Sequence, residues 1–318
     1  MNRDLKINSG NTIKAKVAIL LCVKNGESFL REQMCSYFSQ EHTNWELWVS
    51  DDGSTDATRG IIGEYADRGK RITLLDGPCL GVTENFLFLT QAAETDADYF
   101  AWSDHDDIWL PDKLTRAVRR LDEMGQDRAA LYCGRTMIVD SNNRFICFSP
   151  IFSRPPDFRN AMCQNIGGGN TMVFNRKARK LLCSGSIPNV FVHDWWAYLL
   201  VTGSGGAVWY DPSPCLRYRQ HEYNLIGSNN GWMARLFRLR CLFRGDIQKW
   251  SRITIAALRE RRALLTPENA RILEAFAGVV EARSLRERFY RFHGSGVFRQ
   301  TFWQNAAMYA AVCLRKYP

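Results

Sequence analysis

The ten cysteines of this chain include no Cys-x-x-Cys pair. That absence argues against a zinc site or a disulfide framework. Most of the thiols stand in apolar runs, such as Leu20-Leu21-Cys22-Val23 and Leu131-Tyr132-Cys133, and read as small buried hydrophobes. There is no Asn-x-Ser/Thr triplet, no N-terminal apolar signal and no apolar run long enough to cross a bilayer. Free thiols fit a reducing compartment, so the expectation is a cytoplasmic protein.

Acidic residues are scarce in one region only. From Gly231 to Pro318, 17 Lys/Arg face 6 Asp/Glu, an excess of +11, while the preceding residues carry 25 against 27, a balance of −2. The net charge of +9 therefore sits entirely in the last segment, and an asymmetry of this kind calls for a partner. In other respects the composition is that of a globular protein, with 46% hydrophobic and 24% charged residues among 318.

Residues 1–14 are polar. Thereafter apolar runs alternate with helical patterns. Lys16–Val23 is a continuous apolar run, as expected of a strand buried on both faces. Phe29, Leu30, Met34 and Phe38 follow at helical spacing. Further strands are read at 45–50, 71–75 and 98–102, with helices from a Ser54 cap to about Asp67, over 83–93 and from Pro111 onward. This alternation predicts a parallel α/β sheet flanked by helices, with ligands at the carboxyl ends of its strands. Four short β runs follow (131–133, 136–139, 171–174 and 207–210), around Gly167-Gly168-Gly169 and a helix after His193. Beyond Gly231 the text is Arg-rich and helical. Pro212–Pro214 and Gly227–Gly231 read as seams.

Four constellations carry chemistry. Ser50-Asp51-Asp52-Gly53-Ser54-Thr55-Asp56 ends the second strand; its carboxylates suit a nucleobase or ribose, and equally a plain turn and cap. Ser103-Asp104-His105-Asp106-Asp107-Ile108-Trp109 ends the fourth strand. Three carboxylates this close repel one another unless a divalent cation offsets them, and hard oxygen ligands favour Mg²⁺ or Mn²⁺. The alternative is an acidic cap on the helix opened by Pro111. His193-Asp194-Trp195-Trp196 frames a carboxylate with aromatic rings, which raises its basicity for deprotonating a hydroxyl; it also reads as an N-cap before a core helix. Arg217, Arg219 and His221 alternate along an extended stretch, as phosphate-binding groups would.

As a set, and in this order, these motifs resemble the inverting glycosyltransferases of family two, which have the GT-A fold. The wording is most similar to bacterial rhamnosyltransferases of surface-polysaccharide assembly, including lipopolysaccharide O-antigen. The resemblance runs from Val17–Gly26 through Gly81-Val82-Thr83-Glu84-Asn85-Phe86 to Arg219-Gln220-His221, roughly residues 15–224. The chain departs from the family at Lys24, often aromatic, and at His105, often Gln. The resemblance implies a GT-A domain over 15–230 and a basic helical extension over 231–318. It implies donor contacts at Cys22, Lys24, Asn25, Asp51, Asp52, Asn85, Asp104 and Arg219. It places the metal on Asp104, Asp106, Asp107 and His221, and the general base at Asp194. The acceptor would meet Trp109, Gly168, Gly169, His193, Trp195 and Trp196. The implied partners are a dTDP- or UDP-sugar donor and a glycan or lipid-linked acceptor.

Two other classes compete. A nucleotidyltransferase would share the sheet and the metal but needs a Gly-rich phosphate loop, where only Lys24-Asn25-Gly26 stands. A nucleic-acid-binding module would use the basic tail, yet Trp232, Trp250 and Trp303 fall at helical spacing and no nucleic-acid motif is present. The tail interleaves arginine with bulky apolar groups from Arg235 to Arg244, which predicts docking on an anionic membrane at the inner face of the cytoplasmic membrane. The alternative is that its helices pack on the catalytic domain or on a second copy, forming a homodimer, as apolar Ile272, Leu273, Phe276 and Val279 suggest.

Overall fold

The computed structural model describes residues 15–66, 71–221, 244 and 246–317. The expected loose stretch 1–14, the Gly227–Gly231 seam and all of the 235–244 stretch except Arg244 lie outside the described residues.

Strand β1 (Val17–Val23) is buried along its whole length. Its alternate residues enter two different cores: Ala18, Leu20 and Cys22 face one, and Val17, Ile19, Leu21 and Val23 the other. This is the physical meaning of the continuous apolar run, since each face of the strand meets its own layer of helices. β1 lies between β2 (Trp45–Asp51) and β4 (Tyr99–Ser103), both parallel to it, and β3 (Ile72–Asp76) extends the parallel half. The sheet then changes direction. β8 (Val173–Asn175) runs antiparallel to β4 and to β6 (Ala130–Val139), and β6 pairs in parallel with β9 (Ala207–Arg219). The order is β3-β2-β1-β4-β8-β6-β9-β5, where β5 is Ile108–Trp109, with β7 (Phe145–Phe148) paired to β6.

Helices α1 (Leu30–Phe38), α2 (Thr58–Ala66), α3 (Val82–Ala92) and α4 (Lys113–Met124) connect the parallel half. α5 (Phe158–Ala161), α6 (Arg176–Leu182) and α7 (His193–Gly203) belong to the second half. The chain is thus mixed α/β, as expected, with its parallel carboxyl ends gathered at one edge.

Three local readings are corrected. α2 starts at Thr58, where the Asp56 carboxylate accepts from the Thr58 N–H at 3.0 Å; the Ser54 hydroxyl donates to Asp51 instead of capping the helix. The runs 131–133 and 136–139 are one strand, β6. Pro212–Pro214 is no seam. It lies inside β9, where the pairing register with β6 shifts around Arg135 and the strand absorbs the prolines as a bulge.

The described tail helices α8 (Asp246–Glu260), α9 (Pro267–Glu281), α10 (Leu285–Ser295) and α11 (Phe302–Cys313) share the core of the sheet domain. Leu258, Leu273, Phe276, Phe292 and Val312 are buried in one cluster with Phe158, Met162 and Trp196. Backbone contacts bind the two regions: Thr266 N–H donates to the Gly203 carbonyl at 3.0 Å, and Gln300 N–H to Gln164 Oε1 at 2.9 Å. No described helix is long and apolar enough to cross a membrane. Cys22, Cys133, Cys163 and Cys215 are free and buried, whereas Cys35, Cys79 and Cys313 are free and exposed.

Candidate active site

The acidic loop is strung between β4 and the two-residue strand β5 (Ile108–Trp109), which pairs antiparallel with Leu216 and Arg217 of β9. That pairing brings the end of β9 under the loop. His221 Nε2 lies 2.8 Å from Asp106 Oδ2, and its ring stacks on Phe29. Asp104, Asp106 and Asp107 each offer an oxygen, all within 4.8 Å of one another. Burial, with repulsion from Asp106 and then Asp194, pushes Asp104 up to about 8. Burial, Asp106 and Asp104 raise Asp107 well above the usual carboxylate range. Asn170 donates to Asp107 Oδ2 at 2.6 Å, while Asp107 Oδ1 is buried without a hydrogen-bond partner among the described residues. Buried carboxylates with bare lone pairs and mutual repulsion are what a divalent cation would stabilise.

Asp194 stands in the first turn of α7, with both oxygens held by backbone: Gly169 N–H donates to Oδ2 at 3.0 Å and Trp195 N–H to Oδ1 at 2.5 Å. Burial pushes it up to about 6, against the pull of those N–H bonds. Its effect on Asp104 places it in electrostatic reach of the acidic loop. His193 is buried between Phe86, stacked at 4.0 Å, and the edge of Trp102, and burial pulls it down to about 3, so it is neutral. A Cβ on Gly169 would lie 2.4 Å from His193 Nε2, so only glycine fits there. Gly168 is exposed beside it. Trp195 is half-buried and donates to the Ala161 carbonyl, whereas Trp196 and Trp109 are buried in the core, Trp109 against Tyr37.

The loops after β1 and β2 are laced together. Asn25, at φ 50°, accepts from Thr55 N–H at 2.8 Å, and its own N–H donates to Ser54 Oγ. Asp51 accepts from Ser54 N–H and pairs with Arg59 at 2.9 Å; Asp52 accepts from the N–H groups of Cys79 and Gly81. Asn85 bonds Ser50 in both directions, tying α3 to β2. Cys22 is buried at the end of β1, and Lys24 is exposed. Arg219 is 2% exposed: it donates to the Asp106 and Ser141 carbonyls and ion-pairs with Glu32, with its guanidinium over Phe29. A fork aimed at protein oxygens braces the acidic loop from below.

The profile described as "Glycosyl transferase family 2" matches residues 18–180. The chain belongs to glycosyl transferase family 2. It is 28% identical over 231 residues to the dTDP-rhamnosyl transferase RfbG of Shigella flexneri, covering 68% of this chain and 76% of that protein. It is 29% identical over 140 residues to an uncharacterized glycosyltransferase of Rickettsia typhi, 44% of this chain but only 42% of that one. S. aureus TarS, solved with UDP-GlcNAc, superposes with a TM-score of 0.52 at 14% identity, over 88% of this chain and 90% of its own. GalNAc-T7, solved with UDP, GalNAc and Mn²⁺, gives 0.50 at 10%, over 68% and 46%. The fold is of the GT-A type, and the family 2 chain is a glycosyltransferase.

In this family 2 enzyme, sequence reasoning missed two buried residues beside the acidic loop. Lys113, the first residue of α4, is fully buried; its Nζ donates to the Asn170 carbonyl at 2.5 Å and lies 3.3 Å from the Trp109 ring centre. A lysine at a helix N-terminus opposes the helix dipole, and that misfit was a readable signal of a partner elsewhere. Asn170 follows the glycine run and carried no signal of its own.

Proposed function

We propose that this glycosyltransferase moves a sugar from a dTDP- or UDP-sugar to a glycan or lipid-linked acceptor by one in-line displacement with inversion, in surface-polysaccharide synthesis such as that of O-antigen lipopolysaccharide. The observation that carries it is that one turn bonds carboxylates of both groups, Gly169 N–H donating to Asp194 and the Asn170 side chain to Asp107. Asp194, a basic carboxylate held by backbone, stands within electrostatic reach of a buried acidic cluster.

The cluster's donor set is all oxygen, with His221 beside it, and fits Mg²⁺ or Mn²⁺. A bound ion would neutralise charge on the departing nucleotide diphosphate. The residues themselves divide the remaining work. Asp104, Asp106 and Asp107, with His221, would hold the ion, whose charge would offset the crowding of the three carboxylates. Asp51 and the backbone of Cys22–Lys24 line the base, and Asp104 or Asp106 meets the ribose. Asp194 takes the proton of the acceptor hydroxyl, and its backbone N–H partners keep the carboxylate aimed. The half-buried Trp195, with Gly168, is the acceptor-facing part of the His193–Trp196 stretch. The similarity to RfbG supports a rhamnosyl donor.

The test is a thermal-shift panel of dTDP-, UDP- and GDP-sugars with and without Mn²⁺, followed by assignment of the product anomer. A metal-dependent shift with one donor class and an inverted product are expected; a product of retained configuration overturns the mechanism.

We infer further that the tail meets an anionic membrane. α11 contains no charged residue, and Phe302 and Trp303 at its start are 75% and 79% exposed. A second copy would bring its own +11 against this one, whereas anionic headgroups complement it. Salt-sensitive sedimentation with anionic liposomes is expected; indifference to them at low salt overturns it.

A further inference from the structure

One short turn touches both halves of the site. Gly168–Thr171 closes on itself, with Thr171 N–H donating to the Gly168 carbonyl at 2.9 Å and Met172 N–H to that of Gly169 at 2.9 Å. From this turn the Gly169 N–H reaches the Asp194 carboxylate at 3.0 Å. The adjacent Asn170 side chain reaches Asp107 at 2.6 Å. The Asn170 carbonyl in turn accepts from Lys113 Nζ at 2.5 Å. Lys113 is 0% exposed and Asn170 4%. Ordering a lysine in a protein interior is costly unless its ammonium has fixed partners, and here these are one carbonyl and the face of Trp109.

We propose that Asn170 and Lys113 are positioning residues: they clamp the Gly169–Thr171 turn so that it sets the spacing between Asp194 and the acidic cluster. The reasoning is geometric. Two successive residues of a single rigid turn hold one carboxylate each, so the separation of those carboxylates is the width of the turn. Lys113 begins the helix that follows the acidic loop, so its bond to the Asn170 carbonyl locks the turn to the same frame that carries Asp107. Gly169 cannot be exchanged, because a Cβ would collide with His193. The inference rests on the proposed roles of Asp194 and the cluster, but its readouts do not all depend on them.

The test compares full-length Asn170→Ala and Lys113→Met with the parent. The readouts are Mn²⁺ affinity by calorimetry in the presence of UDP, donor KM, kcat and thermal midpoint. Misplacing reacting groups by about 1 Å costs up to ~10²-fold, so kcat should fall roughly 10- to 100-fold in both, with donor KM within about threefold. Mn²⁺ affinity should weaken about three- to tenfold in Asn170→Ala, which removes the bond to Asp107, and the double variant should be no slower than the slower single. Folded variants whose kcat and Mn²⁺ affinity stay within about twofold of the parent overturn the proposal, as do losses that multiply in the double variant. If Lys113→Met does not fold, Asn170→Ser decides: its hydroxyl restores a short donor and should recover part of the Mn²⁺ affinity lost in Asn170→Ala, and equal values for the two overturn the clamp. Mn²⁺ affinity is read without turnover. If Asp194→Asn keeps full activity, the assignment of the base fails, while the calorimetry still decides the link from the turn to the cluster.

Discussion

Two groups of aspartates end strands of the same parallel half-sheet, and the fold treats them in opposite ways. Asp51 and Asp52, after β2, are filled by fixed donors: Ser54, Arg59, and the backbone of Cys79 and Gly81. Asp104, Asp106 and Asp107, after β4, crowd together, and one oxygen of Asp107 has no hydrogen-bond partner among the described residues. Both groups are acidic runs at strand ends, so sequence makes them look equivalent. A carboxylate held by protein N–H groups stays charged in its loop without a cation. One whose lone pairs are bare, in a buried place beside like charges, would be stabilised by one.

The sharpest way to break that contrast is at Asp194, the proposed base. Asp194→Asn should bind donor as the parent does and lose roughly 10²–10⁴-fold in kcat. In the parent, the raised value of about 6 sets the acid limb of kcat: Asp194 must be ionised, so turnover should rise with pH through about 6 and flatten above it. A limb that persists in the Asn variant would assign it to another group.

Asp106→Ala, or chelation by EDTA, should cost about 10²–10³-fold in turnover and abolish any Mn²⁺-induced thermal shift. The same chelator should leave the fold contribution of Asp52 untouched.

The metal-free protein should show the cluster's repulsion as a pH dependence. Asp104 is held above its unfolded value, so its contribution to stability is complete at low pH and is lost as pH rises through about 8. The thermal midpoint in EDTA should therefore fall over that window, and Mn²⁺ should remove the fall; a flat profile in EDTA would mean that the three carboxylates are less crowded than the structure shows.

Asp52→Ala should behave differently from any cluster variant. It strands the Cys79 and Gly81 N–H groups and should cost about 1–3 kcal/mol in denaturant stability, without altering the Mn²⁺ shift. The smallest effect on chemistry belongs to Trp303→Ser, which should leave turnover on a soluble acceptor unchanged within about twofold while reducing liposome binding.

Much of this was legible in the chain itself because it depends on local pattern. The β1 run alternates its side chains between two cores, and a continuous apolar run reports that directly. The acidic loop is visible because three carboxylates in four residues are costly anywhere. Other features depend on distant partners. Ser54 satisfies every rule for a helix cap, yet Asp51 and Asn25 claim it from across the loops. Pro212 and Pro214 read as a boundary, but β6 offers a long parallel partner that tolerates a bulge. Arg219, expected to meet the donor, is also ion-paired with Glu32, 187 residues earlier in the chain. The tail's arginines suggested a membrane surface, and its apolar Ile272, Leu273, Phe276 and Val279, which suggested packing on the catalytic domain, lie in the common core.

By itself the sequence determined the α/β alternation, the strand ends where polar residues gather, and the identity of the carboxylates there, because each follows from hydrophobic period and residue chemistry over a few positions. Only the tertiary structure decided which carboxylates are already satisfied and which stay bare, that Lys113 bonds Asn170 beside the cluster, and that one turn bonds both Asp194 and Asp107. Those outcomes depend on hydrogen bonds and burial between residues far apart in the chain, and a lone pair's occupancy is set by whatever folding brings within about 3 Å of it.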